Sequence, residues 1–142
     1  MSRLFFAATL GILAIVCASC SGRHSQSGSV RVKATVTIPQ TETVDLQTGK
    51  VSREGDLWFE ARSKGDYYLR PWSKASIGIL QPNSDCTSAS YSKKAIRVDS
   101  GRLPHICALT RDGLESEVRF TRMEFGTDGV AELTADIVTW SR

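Results

Sequence analysis

Turn-forming pairs punctuate this chain at short, recurring intervals: Thr48-Gly49, Glu54-Gly55, Lys64-Gly65, Pro82-Asn83, Ser100-Gly101, Asp112-Gly113 and Asp128-Gly129. Glycine and asparagine reach the backbone conformations that tight turns need, so each pair marks a place where the chain can reverse. No window of eleven residues between or across these turns shows the apolar stripe of a helix. Short runs bounded by turns are the pattern of an antiparallel β-sandwich or small barrel.

The runs carry the two-residue period of strands. Val30, Val32, Ala34, Val36 and Ile38 alternate with Arg31, Lys33, Thr35 and Thr37, and Pro39 ends the run. Further strands are expected near 56–61, 67–70, 76–80, 95–98, 105–110, 117–125 and 130–140. The last three form a meander through the two Asp-Gly turns, a strong hairpin signal. Ala131, Leu133, Ala135 and Ile137 share one face of the final strand. In the strand before it, Val118 and Phe120 hold one parity and Met123 and Phe125 the other, which calls for a β-bulge near Arg122. About 113 residues from Val30 onward suit one domain (30–142) with a modest core, and no internal repeat is visible. The expected fold is all-β: a single antiparallel sandwich or small barrel with a C-terminal meander. The alternation does not separate the two.

The first nineteen residues read as an address. Arg3 and the amino terminus place positive charge ahead of an uncharged run from Leu4 to Ala18, the order of a secretory signal. A membrane-spanning helix needs about 20 apolar residues, and this run is shorter. Residues 1–19 are therefore read as a signal peptide. Val16-Cys17-Ala18-Ser19-Cys20 resembles the lipobox of bacterial lipoproteins, where cleavage precedes a cysteine that receives a diacylglyceryl group. The resemblance implies lipidation at Cys20 and a chain tethered to a membrane of the cell envelope. Ser21 is not the aspartate associated with inner-membrane retention, so the resemblance implies the outer membrane where the host has one. The competing reading is ordinary cleavage after Ala18, which gives a secreted or periplasmic chain beginning at Ser19. Residues 20–29 hold the attachment cysteine and a Ser/Gly tether with a reach of about 15–18 Å. His24 within it reads as a solvated side chain.

Export sets the cysteine chemistry. Cys17 leaves with the signal and Cys20 takes the lipid, so Cys86 and Cys107 remain in an oxidising compartment. A Cys86–Cys107 disulfide is expected, worth about 3 kcal/mol by loop closure; the alternative is two unpaired buried thiols. No second cysteine pair accompanies His105, so a zinc site is not expected. The exported chain has no Cys-x-x-Cys, so neither is a thiol-redox role. No cofactor is assigned.

Three short segments carry a second resemblance. Asp45-Leu46-Gln47-Thr48-Gly49, Asp56-Leu57-Trp58-Phe59 and Cys107-Ala108-Leu109-Thr110-Arg111-Asp112-Gly113, with Val118-Arg119-Phe120 and Thr139-Trp140, look like a pattern that recurs in small exported bacterial β domains. It implies the fold and the export route, and it brings no activity with it.

No catalytic constellation stands out. His105 is the only histidine of the body, no Gly-x-Ser-x-Gly elbow is present, and phosphate-cradling glycine motifs are absent. His105 is read as a packed or half-exposed structural residue. An envelope hydrolase built on His105, or on two carboxylates from distant strands, is kept as an alternative. Setting Arg3 aside leaves 17 of the 18 basic side chains against 15 acidic ones. That balance is too even to argue nucleic-acid binding.

Two groups of residues are candidate contact surfaces. Lys93, Lys94, Arg97 and Arg102, with Arg111 beyond, form a locally basic stretch that could meet anionic lipid, an acidic glycan or an acidic protein. The bland reading is a solvated loop that aids solubility. Trp58, Tyr68 and Trp72 are aromatic candidates, and Trp58 falls on the opposite face from Leu57 and Phe59. The bland reading is core or strand-edge packing. An exposed Trp/Tyr/Arg cluster would suit a protein or glycan partner. The resulting expectation is a non-catalytic envelope lipoprotein acting as a binding or accessory module, with a freely secreted effector or inhibitor as its rival.

Overall fold

The computed structural model describes residues 28–141. The expected signal (1–19), the Cys20 attachment site, His24 and most of the tether lie outside the described residues. Ten strands follow in chain order: β1 Val30–Pro39, β2 Thr43–Asp45, β3 Lys50–Ser52, β4 Leu57–Ser63, β5 Asp66–Pro71, β6 Ser76–Ile79, β7 Ile96–Val98, β8 His105–Leu109, β9 Glu115–Phe125 and β10 Ala131–Trp140. They form two five-stranded sheets, β1-β10-β9-β8-β6 (sheet A) and β3-β2-β4-β5-β7 (sheet B), and every pairing is antiparallel. The sheets do not close on one another, so the fold is a sandwich rather than a barrel.

The core follows from strand parity. Leu57 and Phe59 of β4 and Leu69 of β5 face Ile106 of β8, Val118 of β9, and Leu133 and Ile137 of β10, and all seven are fully buried. Burying each such side chain contributes roughly 1.5–3 kcal/mol. β8, β9 and β10 form the expected meander, and β9 bulges at Thr121, beside Arg122, which turns Met123 to the core side. A second bulge at Arg31 turns Val30 to pair with Trp140, so Val30 leaves the apolar face expected for it and is exposed.

Two strands were not legible in the alternation. β2 and β3 are three residues each, joined across the Thr48-Gly49 turn. All of β2 is buried, including Thr43 and Asp45, because their side chains bond backbone. Thr43 Oγ1 accepts from Gly55 N, and Asp45 Oδ1 accepts from Gln47 N and Thr48 N. Polar side chains spent this way erase the period-2 signal.

The three motif segments meet at one end of the sandwich. Asp56 is fully buried, and its two oxygens accept from Leu46 N and Arg111 N at 2.9 and 2.8 Å. Arg111 in turn donates to Asp45 at 3.1 Å and to the Glu54 carbonyl. The carbonyl of Leu46 accepts from Thr139, whose hydroxyl lies 2.7 Å from that of Ser116. These segments thus form a polar clamp joining β2, β4 and the β8–β9 hairpin.

The chain between β6 and β7 crosses the outer face of sheet A. Cys86 opens a short 3-10 turn there and bridges to Cys107 of β8, with Cα atoms 5.4 Å apart, inside the usual disulfide range. Leu80, Ala89, Tyr91 and Trp140 pack round the bridge as a satellite cluster. Gly78 lies under this strap: a Cβ there would sit 2.6 Å from the Ser90 carbonyl oxygen, so no other residue fits without moving the backbone.

Candidate functional site

The outer face of sheet B is built by the β4–β5 hairpin. Its turn is two residues, Lys64-Gly65, with Gly65 at φ +83°. Ser63 pairs with Asp66, but Ala61 pairs with Tyr67, so Arg62 is the extra residue of a bulge. That single residue decides the site. A one-residue slip reverses which faces match. The bulge sets Trp58 opposite Arg70 and Glu60 opposite Tyr68, so Trp58, Glu60, Tyr68, Arg70 and Trp72 all project outward. Arg97 of β7 pairs with Tyr68 and extends the same row.

The side chains interlock in two groups. Glu60 accepts from Arg70 Nε and Nη2 at 3.1 and 3.0 Å and from Arg62 Nη2 at 3.3 Å. Burial pushes the Glu60 carboxyl up, and the hydrogen bonds from Arg62 and Arg70 together outweigh it, holding it below the ordinary carboxylate range. The Arg62 guanidinium lies 4.0 Å over the Tyr68 ring, a cation–π contact. The second group is Trp58 and Trp72, edge to face at 5.3 Å. Trp72 is 41% exposed, which is high for so large an apolar side chain.

A shallow cleft of about 320 Å³ opens beside the tryptophans, lined by Thr41, Glu42, Thr43 and Arg53 as well as the two indoles. Thr41 has φ +71° and Ser73 φ +54°, so left-handed backbone flanks the pair on both sides. A β-branched residue there is strained. Thr41 is held by donating its N–H to the Phe59 carbonyl at 2.7 Å.

The other sequence candidates divide. Lys93 donates to the carbonyls of Ser73 and Ala75 and so pins the turn after Trp72. Lys94, Arg97 and Arg102 rim two adjoining clefts of about 440 and 570 Å³ between β6 and β7, floored by Ile79 and Ile96 and lined by no carboxylate. The structure therefore brings Trp58, Tyr68, Trp72 and Arg97 onto one face, assigns Lys93 to its support, and leaves Lys94 and Arg102 at a separate edge. A further cleft of about 790 Å³ lies between the β4–β5 and β9–β10 turns, where Tyr67 and Phe125 meet at 5.9 Å. Sequence reasoning missed Thr41, Glu42, Arg53 and Arg62. Three of them flank the unread strands β2 and β3, and Arg62 is a bulge that only pairing reveals.

His105 is half-buried on the outer face of sheet A, and its Nε2 lies 2.6 Å from Glu117 Oε1. Among the described residues that is its only side-chain bond, and no hydroxyl is engaged by it. Tyr91 sits nearby with its hydroxyl on Glu115 at 3.0 Å; burial, then that carboxylate, raises its pKa. Among the described residues no group of three or more His, Cys, Asp or Glu side chains is placed to hold a metal ion. Comparison with known proteins finds no matching family model, no matching curated protein and no matching solved structure.

Proposed function

We propose that the chain is a non-catalytic, membrane-tethered binding module of the bacterial cell envelope, and that it engages its partner through the outer face of sheet B. The observation that carries this reading is the convergence of Trp58, Tyr68 and Trp72 with Arg62, Arg70 and Arg97 on one sheet face. Tryptophan, tyrosine and arginine are the side chains that dominate binding energy at recognition surfaces. Here Glu60 holds Arg62 and Arg70, Arg62 covers Tyr68, and the two indoles pack on each other before any partner arrives, which lowers the ordering cost of binding. The chain enters the domain at β1 in sheet A, on the sheet opposite the aromatic face.

The tether half of the proposal rests on the lipobox-like Val16–Cys20 segment. Two acyl chains on Cys20 would anchor stably where one would not. A Ser/Gly linker of nine residues would then keep the domain within roughly 15–18 Å of the surface. Intact mass of the protein from membrane fractions is expected to start at Cys20 with an acylglyceryl adduct. A soluble species starting at Ser19 without adduct would replace the tethered module with a secreted one.

Affinity recovery from crosslinked cells tests the binding half. The wild-type chain is expected to recover a reproducible partner, glycan or lipid, and Trp58→Ala/Trp72→Ala to lose it while still folding. Equal recovery by both would move the contact surface off this face.

A further inference from the structure

The outer face of sheet B is not chemically uniform. Around Glu60 the charged groups consume one another: one carboxylate takes two guanidinium groups, and Arg62 also covers Tyr68. Beside the tryptophans the opposite holds. Glu42 and Arg53 line the cleft, and no described residue bonds either side chain. One offers acceptors only and the other donors only.

We propose that this cleft binds a neutral saccharide, with Trp58 and Trp72 as its apolar wall and Glu42 and Arg53 as its polar rim. The proposal rests on the reading of this face as the binding surface of the module. A sugar ring presents an apolar C–H face and a rim of hydroxyls, each able to donate and to accept. The indoles stand edge to face, so they offer two differently oriented apolar walls. Hydroxyls at the rim donate to Glu42 and accept from Arg53. Glu42 and Arg53 together leave the rim with no net charge, so it exerts no net pull on an anionic or a cationic ligand, while its acceptor and its donors match the hydroxyls of a neutral one. The cleft volume of about 320 Å³ lies at the lower end for ligand pockets, enough for a short saccharide segment and not for a protein domain. Thr41 and Ser73 are two of only three non-glycine residues with positive φ among the described residues, and both flank this cleft. Strain of that kind persists where the surroundings over-determine it, and it concentrates at ligand sites.

The test titrates the intact chain in detergent micelles with short oligomers of N-acetylglucosamine and, separately, of glucose, reading each indole N–H by NMR. At least one series is expected to shift the Trp58 and Trp72 signals saturably while Trp140, packed by the disulfide on the other sheet, stays still. The responding series distinguishes a wall-type amino-sugar glycan from a plain hexose polymer. Trp72→Ala is expected to weaken binding about tenfold or more. Glu42→Gln and Arg53→Gln, which remove no bond within the described structure, are each expected to weaken it several-fold. Silent indoles with both series, while crosslinked recovery still depends on Trp58 and Trp72, would overturn the saccharide and leave the binding face standing. Loss of both signals would overturn both. Tighter binding of an oligo-uronate than of its neutral counterpart would overturn the claim of a neutral ligand.

Discussion

Asp56 has no exposed surface, and each of its oxygens accepts one backbone N–H, from Leu46 and from Arg111. Burial raises its pKa above the ordinary 3.8, and the two backbone hydrogen bonds only partly offset that. A raised folded-state pKa means that the folded protein holds the proton more tightly than the unfolded chain. The contribution of Asp56 to stability is therefore full below pH 3.8 and is lost as pH rises through its folded value. Asp56→Asn removes this dependence and leaves one buried amide facing an NH2 group, at a cost of about 1–3 kcal/mol. Denaturant melts of the two proteins across the acid range are expected to show the gap largest near and below pH 3.8 and narrowing as pH rises. A gap that widens with pH would contradict this account of the clamp.

At the scale of elements, the strap between β6 and β7 is held to sheet A by its disulfide, a small apolar cluster and a few hydrogen bonds. Its 3-10 turn is three residues long, and its apolar anchors are few. Cys86→Ser/Cys107→Ser is expected to cost about 3 kcal/mol. Amide exchange is expected to quicken first over residues 80–95, before the meander β8–β10 is affected. Equal melting temperatures with and without reductant would mean the bridge adds nothing. Most of these elements were legible because their apolar residues alternate and their turns are marked: β4 through β10 fall within one or two residues of the runs read from sequence. The illegible part has two physical sources. In β2, Thr43 and Asp45 are buried for their backbone hydrogen bonds, so burial and polarity no longer oppose one another. In the β4–β5 hairpin, alternation places Trp58 away from Leu57 but does not say which face of β5 it joins. The Arg62 bulge decides that, and bulges at Arg31 and Thr121 redirect Val30 and Met123 in the same way. Only the Thr121 bulge showed itself, because apolar residues lie on both sides of it.

For the whole molecule, the two sheets divide the work. Sheet A carries the disulfide strap on its outer face and receives the chain at its edge strand β1, while the outer face of sheet B is left open, with Arg62 and Arg70 held by Glu60 and the two indoles packed on each other. On the proposed reading the face is already assembled when a partner arrives, because Glu60 holds Arg62 and Arg70 and the two indoles pack on each other. The most direct measurement places a photocrosslinking residue at Lys74, in the exposed turn beside Trp72, and, in a second protein, at Lys33 on sheet A, both in living cells. A binding module that works through sheet B predicts a reproducible adduct from position 74 and none from position 33. Adducts from position 33 alone, or from neither, would contradict it.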